Sequence, residues 1–187
     1  MSESTIDSAQ SKAQEQVINF EVGQKYTTSE GCEYVVDFIA RESGNIEDLF
    51  AVYHDTESIQ EGQTEKYYLK KTSEIKSADD FEVGAPSSSS NEDTQEGDES
   101  VDVSIGQTYQ HFKTKDFYVI KAIANDPENP KIKFVIYEGQ YDSPDFGHNP
   151  IWVREYEDFT GMKVFGENEL DKDGQKREPV KRFELIK

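Results

Sequence analysis

Two stretches of the chain carry the same apolar pattern. EYVVDFIA runs from Glu33 to Ala40 and DFYVIKAIA from Asp116 to Ala124, both rich in the β-branched and aromatic residues that suit strands. After the second stretch, NDPENP (Asn125 to Pro130) is turn chemistry. KIKFVIYEG then alternates Lys131 and Lys133 outward with Ile132, Phe134 and Ile136 inward, which predicts a hairpin. GQYDSPDFGHNP predicts a long loop, IWVR a short strand, EYEDF a single helical turn and KRFELIK a closing strand. DFEV, from Asp80 to Val83, is the counterpart of that closing strand in the first half. The second half alone carries an insert, TGMKVFGENELDKDGQKREPV, whose Asp173-Gly174 dipeptide predicts an extra ribbon.

The likeness of the two halves extends well beyond one strand. Gly23, Gln24 and Tyr26 match Gly106, Gln107 and Tyr109 at a shift of 83. At a shift of 84 the register then holds without a gap from Tyr34 to Ile75. Tyr34, Val35, Ile39, Ala40, Asn45, Phe50 and Tyr53 recur as Tyr118, Val119, Ile123, Ala124, Asn129, Phe134 and Tyr137. Tyr68, Leu69, Lys70 and Ile75 face Trp152, Val153, Arg154 and Phe159, residues similar in kind. Self-similarity of this length predicts a duplicated unit. Five short strands with a helical turn before the last is the order of a small SH3-like barrel, and a barrel hides its edges. An OB-like barrel is the rival.

Composition divides the 187 residues further. Hydrophobic residues make up 34 %, lean for one large core. GAPSSSSNEDTQEGDESVD, from Gly84 to Asp102, holds six acids, no base and one branched aliphatic, which predicts a flexible, self-repelling linker. The expected organisation is a disordered or partly helical tail at 1–19, a diverged SH3-like barrel at 20–83, a disordered acidic linker at 84–102 and a second SH3-like barrel at 103–187. The fold class is all-β, two tandem small barrels on an acidic linker. The net charge of −19 argues against the whole molecule seeking nucleic acid, but residues 103–187 are nearly neutral at −2. No apolar run reaches membrane-spanning length, and the first sixteen residues lack the basic and apolar regions of a secretion signal, so a cytoplasmic protein is expected. Cys32 is the one cysteine, which excludes an internal disulfide.

The second half resembles a bacterial family known as domain of unknown function 1653. YQHFKTKDFYVIKAIA, FVIYEGQY, IWVREYEDF and KRFEL carry the resemblance. The family's aromatic and basic words fall on Tyr109, His111, Phe112, Lys113, Tyr137, Tyr141, Trp152, Arg154, Arg182 and Phe183. Thr114, Gln140 and Glu155 depart from the family's glycine, leucine and proline, and Asn125 to Glu128 replaces its turn. The resemblance implies an SH3-type fold and no assigned activity.

Candidate chemistry follows from comparing the halves. His111, Lys113, Tyr141 and Trp152 have Thr28, Glu30, Glu57 and Tyr68 as counterparts, and Arg154 has Lys70. Trp152 and Arg154 are two apart on a strand and share a face, so they offer a ring and a bidentate fork to a carboxylate, a phosphate or a base. The plainer alternative is that Trp152 caps the core while Arg154 covers it or pairs with an acid. Asp142, Asp145 and His148 have metal-ligand chemistry but sit in turn-rich sequence, and DKDG at Asp171 to Gly174 lacks the later ligands of a calcium loop. His111 near Asp116 has no evident nucleophile, and His54 and the Cys32 thiol suggest no chemistry. The sequence therefore points to a non-catalytic binding protein with no cofactor or metal. Its site is Tyr109, His111, Lys113, Tyr141, Trp152 and Arg154, and its partner an unknown protein or peptide. A nucleic-acid or ribosome-associated module is one alternative, and a small-molecule enzyme or sensor is another.

Overall fold

The computed structural model describes residues 20–57, 66–81 and 103–186. The expected tail at 1–19 and the acidic linker at 84–102 lie outside the described residues. In the first half, β1 (Lys25–Thr27), β2 (Glu33–Glu42), β3 (Leu49–Asp55) and β4 (Tyr67–Lys71) precede two short 3-10 turns, Thr72–Glu74 and Ala78–Asp80. In the second half, β5 (Thr108–His111), β6 (Phe117–Asn125) and β7 (Lys133–Gly139) lead to the two-residue ribbon of β8 (Asp142–Ser143) and β9 (Gly147–His148). Then come β10 (Ile151–Glu155), α1 (Tyr156–Thr160), the ribbon strands β11 (Met162–Lys163) and β12 (Val180–Lys181), and β13 (Phe183–Ile186). Among the described residues the protein is thus all-β apart from one α-helical turn and the two 3-10 turns. Among the described residues, no helix is long and apolar enough to cross a membrane.

Most elements fall where the apolar pattern puts them. The β6–β7 hairpin, the turn at α1 and the closing strand all form, and the insert makes the β11–β12 ribbon. Gly174 sits at φ +76° in the Asp173-Gly174 turn, where its missing Cβ removes the steric cost. Of the DFEV strand, Asp80 ends a 3-10 turn and Phe81 is buried; the rest is outside the described residues. Ile132, expected inward, is exposed at the hairpin's mouth.

The edges are hidden differently from the expectation of two separately closed units. Among the described residues, nine strands join in one sheet. β4 runs parallel to β6, pairing Tyr67 with Ala124, and β10 runs parallel to β2, pairing Trp152 with Arg41. With the antiparallel pairs β2–β3, β3–β4, β6–β7 and β7–β10, the ladder returns to its start. Each half therefore supplies the missing neighbour of the other's edge strands.

A bulge in each long strand makes this possible. The pairing shifts between Val36 and Phe38 in β2, and between Ile120 and Ala122 in β6. An extra residue bends and twists a strand. Ahead of the bulge, Tyr118 and Ile120 face the second half's own core; beyond it, Ala122 and Ala124 face a shared one. Tyr34 and Val36, then Phe38 and Ala40, divide in the same way. The shared core joins Ala40, Val52 and Leu69 to Ala122, Ala124, Ile136 and Val153. The bulges, like the cross-half pairs, are related by the same shift of 84.

Candidate functional site

The second half's own core is a stack of rings. Phe159 lies flat on Phe183, 4.2 Å between centroids at 12°, and Tyr109, Tyr118 and Tyr137 surround that pair. Alternation along β10 sends Trp152 and Arg154 to this side and Val153 to the shared core. Trp152 is only 8 % exposed: its ring meets Phe146 edge-on and its indole N–H donates to the Tyr141 hydroxyl at 3.1 Å. The Tyr141 ring lies so close over Gly139 that any Cβ there would clash with it. Tyr109 is buried, and its hydroxyl donates to Gln107. Of the six residues that the sequence singles out, Tyr109 and Trp152 are thus packing, and Lys113 is exposed in the turn after β5.

The polar centre lies at the start of β13. Arg154 donates to Asp158, one turn on, and to the Tyr137 hydroxyl at 3.5 Å, with its guanidinium 6.0 Å from the Phe183 ring centroid. Arg182 reaches the same Asp158, donating to its carboxylate at 2.9 Å and its backbone carbonyl at 3.2 Å. The two arginine side chains are 16 % and 19 % exposed, so both charges are largely withdrawn from water. Two guanidiniums share one carboxylate, which leaves one positive charge in excess. Burial opposes the Arg154 charge, but Tyr137 and Asp158 outweigh it and raise the pKa.

His111 completes the centre. Its ring packs on Phe112, Tyr118 and Phe183, with Nδ1 3.2 Å from Thr114 Oγ1 and 3.4 Å from the Thr114 N–H. With Nδ1 accepting from that N–H, the donor left to a ligand is Nε2. Burial pushes His111 below its ordinary 6.5, and Arg154, Arg182 and Lys113 push the same way against Asp116. Folding is therefore penalised as pH falls through 6.5, until the folded form also protonates. An NMR titration of His111 is expected to show a midpoint below 6.5 that rises in Arg182→Ala; a midpoint at or above 6.5 would contradict this geometry. Tyr118 is pushed up by burial and by its hydrogen bond with Tyr141.

The first half touches this centre. The Ser43 N–H donates to the Val153 carbonyl, Ser43 Oγ is buried near the Tyr137 hydroxyl without a hydrogen bond of normal geometry, and Arg41 lies over the Phe146 ring. At the equivalent place in the first half stand Thr28, Lys70, Glu74 and Asp80, where the second has His111, Arg154, Asp158 and Arg182. The ring stack recurs there as Tyr34, Tyr53 and Phe81, but the excess positive charge does not. Arg182 and Asp158 are absent from the site read off the sequence. Arg182 lies among the residues that carry the family's aromatic and basic words, whereas Asp158 had no signal of its own.

The chain is all-β among its described residues, and its second half sets an aromatic core beside two arginines largely withdrawn from water. Within that half, residues 107–185 match the family described as Protein of unknown function (DUF1653). No curated protein and no solved structure matches the chain.

Proposed function

We propose that the protein is a non-catalytic binding module that grips an acidic group of a protein or peptide partner at His111, Arg154 and Arg182. The observation that carries this is the pair of withdrawn guanidiniums on one carboxylate. Such a pair has fixed geometry and one unmatched charge, and the planar fork suits a carboxylate or a phosphate. Nε2 of His111 adds a neutral donor beside it. The strand order β13-β5-β6-β7-β10, with a helical turn before β13, supports an SH3-like unit over 103–187. The common shift of 84 supports a diverged copy of it over 20–83. In this reading the acidic copy is a scaffold, since it supplies the edge partners and the Ser43 wall but lacks the second half's arginine pair.

The test is capture from lysate by the full chain and by an Arg154→Ala, Arg182→Ala double variant, each with and without nuclease and across a salt series. A partner kept by the parent, lost by the variant and indifferent to nuclease is the expected result. Each arginine is expected to be worth about 2 kcal/mol, or roughly 30-fold in affinity. A nuclease-sensitive partner with a steep salt slope would mean nucleic acid instead. Equal capture by a folded double variant would remove the arginines from the site.

A further inference from the structure

β13 pairs with β5 alone among the described residues, so one side of it is open. The direction of its unused groups can be read from the neighbouring bonds. The His111 N–H donates to the Asp116 carbonyl, away from β13, while the Phe112 N–H donates to the Arg182 carbonyl. Phe183, opposite His111, therefore turns its N–H and C=O to the open side. Antiparallel bonding alternates, so Leu185 does the same. Leu185 shares a face with Phe183 and lies opposite buried Tyr109, yet it is 37 % exposed. The second half's core is thus uncovered at this one end.

A cavity of about 270 Å³ opens there between β13 and α1, lined by Tyr109, Phe159, Phe183 and Leu185 together with one cation, Lys181, and one acid, Glu184. A wider groove of about 540 Å³ along the β11–β12 ribbon shares Lys181 and Glu184 with it. Lys115, Arg177 and Lys181 line that groove against one acid, Glu184. Arg177 stacks on Phe165 at 3.9 Å, and among the described residues none of the three cations is held in an ion pair. On a chain of net charge −19, a cationic strip beside an apolar cavity and an open strand edge is complementary to one kind of occupant.

We propose that β13 takes up an extended, acidic segment of another protein as an added strand, with an apolar side chain in the cavity and acids along the Lys115–Arg177–Lys181 groove. Main-chain bonds to Phe183 and Leu185 supply affinity, and the cavity and the cations supply selectivity. This surface adjoins the Arg154–Arg182 centre, since Phe159 and Phe183 border both, but its test varies Leu185, Lys181 and Arg177 and leaves the arginine pair in place.

The probe is a synthetic peptide of about eight residues that alternates glutamate with valine around a central phenylalanine. The full chain is expected to bind it saturably, with slowed amide exchange at Phe183 and Leu185. Leu185→Pro removes an outward N–H without touching the β5 ladder, a place where an edge strand tolerates proline. It is expected to weaken binding about tenfold or more. Lys181→Glu with Arg177→Glu is expected to weaken it further and to flatten its salt dependence. Should Leu185→Pro fail to fold, as Trp152 fluorescence would report, Leu185→Lys keeps the N–H, places a charge at the cavity mouth and is expected to lose affinity by a similar factor. The proposal is overturned by absence of saturable binding, by equal affinity for the peptide with lysine in place of glutamate, or by unchanged affinity in a folded Leu185 variant. Concentration-dependent dimers of the parent that Leu185→Pro dissolves would also overturn it, in favour of a second copy of this chain.

Discussion

Replacing Ile136 by alanine is expected to cost about 2–5 kcal/mol and to bring down both halves of the chain in one transition. Ile136 is fully buried, and its neighbours in the shared core come from both halves: Ala40, Val52 and Leu69 from one, Ala122, Ala124 and Val153 from the other. Three of those six are alanines with no reach to fill the space left behind. Collapse would need β4 to slide on β6 or β10 on β2, and both are tied by parallel backbone pairing. The hole therefore stays, and with it the lost contacts. The one tryptophan, Trp152, reports on the second half by fluorescence, while far-ultraviolet circular dichroism follows all the strands. Coincident midpoints, lowered together in Ile136→Ala, are the expected outcome. Two separate midpoints in the parent chain would mean that the shared core does not couple the halves.

That coupling was not legible in the sequence, although most of the elements were. Strands declare themselves by β-branched and aromatic runs, and the turn at α1 by the break in that pattern after Glu155. Which face of a strand meets which core is a different question. Tyr118, Ile120, Ala122 and Ala124 keep strict alternation, so nothing local shows that the bulge at Lys121 turns the last two into another core. The run Phe134 to Tyr137 is apolar at every position because β7 is buried on both sides; alternation assigns only one of them. A two-unit arrangement with separate edges follows from alternation alone, and cross-half pairing follows only from the bulges.

The site divides in the same way. His111 and Arg154 stood out because their counterparts, Thr28 and Lys70, differ in chemistry. Trp152 stood out as well, yet burial leaves little of its ring to a ligand. Asp158 and Arg182 are 24 residues apart, and nothing in their local sequence announces a pairing that only the folded return of β13 creates.

Phe159→Ala is the substitution expected to cost most, about 3–5 kcal/mol, and to disarm the arginine pair as well. A five-residue helix without a side-chain cap has no stability of its own. It is pinned by Phe159, which stacks on Phe183 and packs against Tyr109 and Tyr137 at 5.2 and 5.3 Å. Asp158 is the residue before it, so the ring that closes the core also fixes the carboxylate that both guanidiniums face. Asp158→Asn separates the two roles. It leaves Phe159 stacked, removes the competing anion, and is expected to lower the melting temperature less than Phe159→Ala while tightening the binding of an acidic ligand. Phe159→Ala is expected to lower the melting temperature steeply and to weaken that binding, because Arg154 and Arg182 lose the partner that holds their forks in place. A Phe159→Ala chain that melts with the parent would show that the turn is held by something other than its ring. An Asp158→Asn chain that binds acids more weakly would show that the carboxylate positions the arginines more than it competes for them.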